Sequence, residues 1–126
     1  MLDITVADSA KIDCTARIKE GVSIGAGSEI GVGATIGANA TIGKNVKIAE
    51  YVYVGDDAYI GDGVCVEAYA HIGNGSYVDN DAYVGAHCHG GRNVAIGNGA
   101  IIGNYVDIYS GDCIEAHAKI EGRLSV

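Results

Sequence analysis

The sequence predicts an all-β protein built from short strands stacked in parallel, and three observations predict it. A branched aliphatic residue recurs every six residues, from Val6, Ile12 and Ile18 through Ile120 to Val126, filling twenty of the twenty-one multiples of six and failing only at Gly90. Two residues before it stands a small side chain, as at Ala10, Ala16, Val22, Ser28, Ala34 and Ala40, and strand side chains at i and i−2 point the same way. Three residues after the aliphatic position comes Gly, Asn or Asp in twelve hexads, the residue types that tolerate positive φ in a tight corner. A period of six makes no stripe on a helix of 3.6 residues per turn, and 20 glycines would cost a helix about 1 kcal/mol each.

Each hexad therefore reads as one strand and one corner, with the aliphatic and the small residue facing inward. Composition agrees: the chain has no Phe, Trp or Pro and one Met, so its core is filled by Ile, Val and Ala rather than by aromatic anchors. All 126 residues keep one phase and form a single domain, with no residues left for an extruded loop or a capping helix. A net charge of −8 argues against nucleic acid or an anionic membrane surface as partner. With no apolar run long enough to cross a membrane and no leader-like pattern in MLDITVADSA, the expected location is cytoplasmic, where Cys14, Cys65, Cys88 and Cys113 are reduced thiols.

The pattern [Ile/Val]-Gly-x-x-[small]-x resembles the hexapeptide repeat of left-handed parallel β-helix proteins, best known from the repeat domain of bacterial hexapeptide acyltransferases, and the resemblance covers the whole chain. It implies three hexads per coil, a triangular prism and about seven coils. Like residues recurring at eighteen, Tyr51 and Tyr69, Tyr59 and Tyr77, His71 and His89, agree with that coil length.

Sorted at that interval, one face carries Thr15, Gly33, Tyr51, Tyr69, His87, Tyr105 and Arg123 and, two residues on, Arg17, Thr35, Tyr53, His71, His89, Asp107 and Ser125. Seven of the twelve Tyr and His residues fall there within four coils. Tyr is a good strand residue whose cross-strand stacking contributes about 0.2–1 kcal/mol per pair, and an exposed aromatic patch also marks a contact surface. The expected interface is Tyr51, Tyr53, Tyr69, His71, His87, His89, Tyr105 and Asp107, in a homo-oligomer. The resemblance implies a trimer through one face. Uncapped ends suggest instead a head-to-tail stack, with Ile114 over Val6, Ile120 over Ile12 and Val126 over Ile18.

The leading functional expectation is a non-catalytic structural scaffold that needs no cofactor. The resemblance implies an alternative, an acyl-CoA-dependent acyltransferase with His87, His89 or His71 as general base at an intersubunit site. Against it, an uninterrupted repeat is expected to leave a flat prism face without the concave pocket acyl transfer needs. The three histidines with Asp107 also invite comparison with γ-class carbonic anhydrases. No pair has the five-residue ligand spacing of those enzymes, and Asn98 stands where they carry a ligand histidine, so no metal ligand is assigned. One segment is expected to be distorted: His87 to Asn93, where Gly90 leaves the core short of a branched side chain beside a buried, inert Cys88. Asp112 falls in the inward small column.

Overall fold

The computed structural model describes residues 4–121. Among them are twenty two-residue strands, from β1 (Thr5–Val6) to β20 (Lys119–Ile120), and no helix. Every strand pairs in parallel with the strand three further along the chain, Thr5 with Ser23 and Val6 with Ile24 in the first case. The result is three sheets of seven, seven and six strands. Three six-residue sides make one coil, so the described chain winds about six and a half times as a parallel β-helix, consistent with the left-handed one that the resemblance implies. Val126 and its neighbours Arg123 and Ser125 lie outside the described residues.

The hexads dictate the core. Ile24, Ile36, Ile42, Ile48, Ile60 and Ile102 are fully buried, and so are the small residues two places before them, such as Ala34, Ala40 and Val46. The small residue lies just ahead of the strand rather than inside it, because each strand is only two residues long. Burial weakens toward the ends, where Ile12, Ile18 and Ile120 are only partly covered. Asp112 follows the same rule: it is half-buried, and its carboxylate accepts from the Tyr109 N–H at 3.1 Å.

Corners are closed by backbone geometry. The residue three after the aliphatic position has positive φ at Gly21, Gly27, Gly33, Asn39, Asn45 and Asp57 among others. In the next residue but one, the strand resumes and its N–H donates to the coil above, as Tyr53 does to Ala70 O at 3.0 Å. Side chains lace neighbouring corners: Asn74 Oδ1 accepts from the Asp56 N–H, and Asp56 Oδ1 from the Ala38 N–H, both at 2.9 Å.

The ladder has one gap. Residues just after the aliphatic position donate to the carbonyl of the aliphatic position one coil on, from Ala7 to Ile24 O through Gly103 to Ile120 O, at 2.7–3.1 Å. Gly73 makes no such bond to Gly90 O, and β12 (His71–Ile72) pairs with β15 (His89–Gly90) through His71 and His89 alone. A cavity of about 10 Å³ lies beneath, lined by Ile72, Val84, Cys88, Val94 and Ile108. The distortion expected at His87 to Asn93 is therefore present, as a rung pulled apart where a branched side chain is missing. A buried N–H without a protein acceptor costs about 1–3 kcal/mol.

Candidate functional site

The residues singled out by the sequence assemble into two adjacent ring ladders. Tyr53, His71, His89 and Asp107 are the outward residues of four successive strands in the third sheet, paired in register. Their rings stack, Tyr53 on His71 with centroids 4.7 Å apart and His71 on His89 at 4.9 Å. Tyr51, Tyr69, His87 and Tyr105 form a second ladder, with centroids 5.4, 5.0 and 4.8 Å apart in that order.

The second ladder corrects the sequence expectation. Its four residues do not share a strand face with the first: they are corner residues with φ of 57°, 65°, 60° and 65°. The phase carried the signal, since Tyr51 stands three residues after Ile48 as Asn45 stands three after Ile42. High strand propensity of Tyr therefore does not account for this column. The other two corners obey the backbone, with Gly21, Asn39, Asp57, Gly75, Asn93 and Gly111 down one and Gly27, Asn45, Gly63, Asp81 and Gly99 in the other, up to His117. The ladder starts on a glycine by necessity. A Cβ at Gly33 would lie 2.5 Å from the Tyr51 ring, so Gly33 both turns the chain and lets the first ring lie flat against it.

These rings are open to contact. Tyr51, Tyr69 and Tyr105 are 52%, 50% and 60% exposed. His87 and His89 are exposed, while Tyr53 and His71 are half-buried. His71 also touches the broken rung: its Nδ1 lies 3.4 Å from Gly90 O. A carbonyl can only accept, so a hydrogen bond here requires the tautomer with its proton on Nδ1, in which Nε2 carries the lone pair. Burial holds the His71 pKa below the ordinary histidine range; the Gly90 contact opposes that shift, and the charge of His89 adds to it.

The prism face expected to be flat carries a shallow, open groove of about 290 Å³ along the third sheet and the corner that follows it, lined by Tyr53, His71, Asn74, His89, Arg92 and Ser110 and bordered by Gly73, Gly90 and Gly91. A longer groove of about 600 Å³ follows the charged column Lys11, Glu29 and Lys47 on the second sheet. Among the described residues no three of His, Cys, Asp and Glu converge as a metal ion requires. All four cysteines are unpaired; Cys88 is buried, its thiol 2.8 Å from Gly103 O, and burial raises its pKa. Among the described residues no helix is long and apolar enough to cross a membrane.

Comparison with known proteins places this geometry. Residues 39–74 match the family model for the bacterial transferase hexapeptide (six repeats). No curated protein matches the chain. Among solved structures, LpxA, a UDP-N-acetylglucosamine acyltransferase from Bacteroides fragilis, is similar with a TM-score of 0.88 at 22% identity, over 98% of this chain and 61% of that one. PerB from Caulobacter crescentus, solved with CoA and GDP-perosamine, aligns with a TM-score of 0.72 at 19% identity, over 96% and 55%. The acetyltransferase domain of PglB from Neisseria gonorrhoeae, solved with acetyl coenzyme A, gives 0.68 at 16% identity, over 93% and 56%. The chain spans little more than half the length of these structures, and at such identities the likeness is one of fold. Its unbroken six-residue phase, its three parallel sheets and this likeness give the chain the fold of a hexapeptide-repeat parallel β-helix, similar to that of the acyltransferases above.

Proposed function

We propose that the protein is a self-associating structural β-helix whose copies meet laterally through the Tyr51, Tyr69, His87, Tyr105 corner and the adjoining Tyr53, His71, His89, Asp107 strands. The observation that carries this reading is the occupation of one corner, in four consecutive coils, by aromatic residues in a conformation that favours Gly, Asn and Asp. Left-handed backbone costs such residues about 1–2 kcal/mol each. Three stacked pairs return about 0.5–1.5 kcal/mol each. The stacking returns less than the backbone costs, so the rings do not on balance stabilise the single chain. What they do add is a continuous, half-exposed edge of amphipathic rings, the surface composition that protein contacts favour.

Tyr69→Asn tests this. Asn is at home at positive φ, so the variant keeps the melting temperature of the parent within a few degrees while losing the ring. Sedimentation of the parent is expected to show oligomers, a trimer or larger, and that of Tyr69→Asn to show loss of assembly. A parent that sediments as a monomer at high concentration, or a variant that assembles unchanged, refutes the reading.

A second reading is favoured by the groove and by the CoA-bound acyltransferases of like fold. In it the chain transfers an acyl group from acyl-CoA, with His71 rather than His87 or His89 as general base. His87 is held between Tyr69 and Tyr105 on the corner, away from the groove. Nε2 of His71 takes the proton of an acceptor hydroxyl or amine as that atom bonds to the thioester carbonyl carbon; the carbon–sulfur bond then breaks and the thiol leaves with the proton. At about 290 Å³ the groove suits a small acceptor, and a second copy would have to enclose the pantetheine arm. Thiol release from acetyl-CoA in the presence of amino-sugar and hydroxyl acceptors, abolished in His71→Asn with assembly intact, supports this reading. Loss of activity only where assembly is also lost refutes that role for His71.

A further inference from the structure

Gly73 and Arg92 meet at the broken rung. Gly73 is buried, and from Ala7 to Gly103, where a further coil is described, it is the one residue at its phase whose N–H does not donate to that coil. Arg92 is the single Lys or Arg between Lys47 and Lys119, a stretch that holds ten Asp and Glu residues. Both border the same groove, where two side chains, Asn74 and Ser110, are left with hydrogens to give, beside the Gly90 carbonyl that faces His71 Nδ1. Asn74 Oδ1 accepts from the Asp56 N–H, which leaves its amide hydrogens. Ser110 Oγ accepts from the Arg92 N–H at 3.1 Å, which leaves its O–H. His89 is exposed on the same side.

We infer that this groove binds the anionic group of a small ligand, a phosphate or a carboxylate, with Arg92 supplying the charge and Gly73 N–H, Asn74 and Ser110 the neutral donors. A lone cation in an otherwise acidic stretch, beside a buried amide without a backbone acceptor, is a pairing that an acceptor of negative charge satisfies at both points. The break at Gly90 is what makes the amide available, since an unbroken ladder would consume it as it does at Gly55 and Gly91. Tyr53 and His71 form the wall of the groove, and Asp107, the register partner of His89, is the nearest acid along the strand column. This site belongs to the single chain and does not depend on self-association or on acyl transfer.

The test is a nuclear magnetic resonance titration of the ¹⁵N-labelled full chain with inorganic phosphate and, separately, with acetate. Saturable shifts are expected at the Gly73 amide and the Arg92 side chain, and Arg92→Ala is expected to weaken binding about tenfold or more. Asp107→Asn, which removes the neighbouring negative charge, is expected to tighten it. Saturation by phosphate alone identifies a phosphate-bearing ligand, and saturation by both extends the class to carboxylates. No saturable shift with either anion, or equal shifts at His117 on another corner, overturns the inference. The same titration on Tyr69→Asn separates it from the proposed assembly: binding by the dissociated variant supports a site within one chain, and its loss there overturns one.

Discussion

His71 is constrained on three sides. Its ring is held between Tyr53 and His89, its Nδ1 faces Gly90 O, and burial disfavours its charged form. The linkage to pH follows from that direction. A histidine whose folded pKa is depressed takes up its proton more readily in the unfolded chain, so stability falls as the pH drops through the ordinary imidazole range and levels off once the pH is below the folded value. Melting curves recorded between about pH 7 and 5 are expected to show this loss in the parent and a shallower one in His71→Asn. Equal slopes in the two proteins would remove His71 as the cause. If His71 instead serves as a base, the rate constant kcat/KM rises with pH through a midpoint below the usual histidine value.

At the scale of the element, the informative strand is β15, where Gly90 takes the place of an aliphatic residue. Its backbone has no positive φ, and a Cβ placed on it would meet His71 O at 3.1 Å, slightly tight against a strand that is already parted from its neighbour. Gly90→Ala adds a methyl group to a rung that has a cavity below it and removes conformational freedom from the unfolded chain, worth about 0.4–1 kcal/mol. It is expected to raise the melting temperature and to slow hydrogen exchange of the Gly73 amide as the ladder bond closes. Destabilisation with unchanged exchange would mean that the rung is parted by its surroundings rather than by the missing side chain.

The whole molecule is a one-dimensional stack in which each coil touches only its neighbours, so a loss of packing is felt according to where in the stack it falls. Ile60 is fully buried at mid-stack, whereas Ile12 is only partly covered. Ile60→Ala is expected to cost about 2–5 kcal/mol and Ile12→Ala less than about half of that, read from chemical denaturation. Comparable costs would show that the first coils are covered by another copy, an outcome that bears directly on end-to-end stacking. The acidic charge acts at this scale as well: it disfavours nucleic-acid and anionic-membrane partners without selecting any coil.

Much of this architecture is legible in the chain itself, because the hexad is a local rule repeated without interruption. The six-residue phase determined the strands and the inward columns of Ile, Val and Ala, while the eighteen-residue coil that brings Tyr59 over Tyr77, with ring centroids 4.7 Å apart, was implied by the resemblance and by like residues recurring at eighteen. It also located the weak rung at Gly90, since one missing branched side chain stands out against twenty that are present. Only the tertiary structure decided that Tyr51, Tyr69, His87 and Tyr105 are corner residues. Side-chain propensity favours strand for Tyr, but the backbone at that phase is fixed by closure of the prism, and closure overrides the preference of any single residue. Tertiary packing likewise parted Gly73 from Gly90, turned His71 toward the freed carbonyl and opened the groove beside Arg92. Those features depend on how two coils settle around a void, and no periodicity records that.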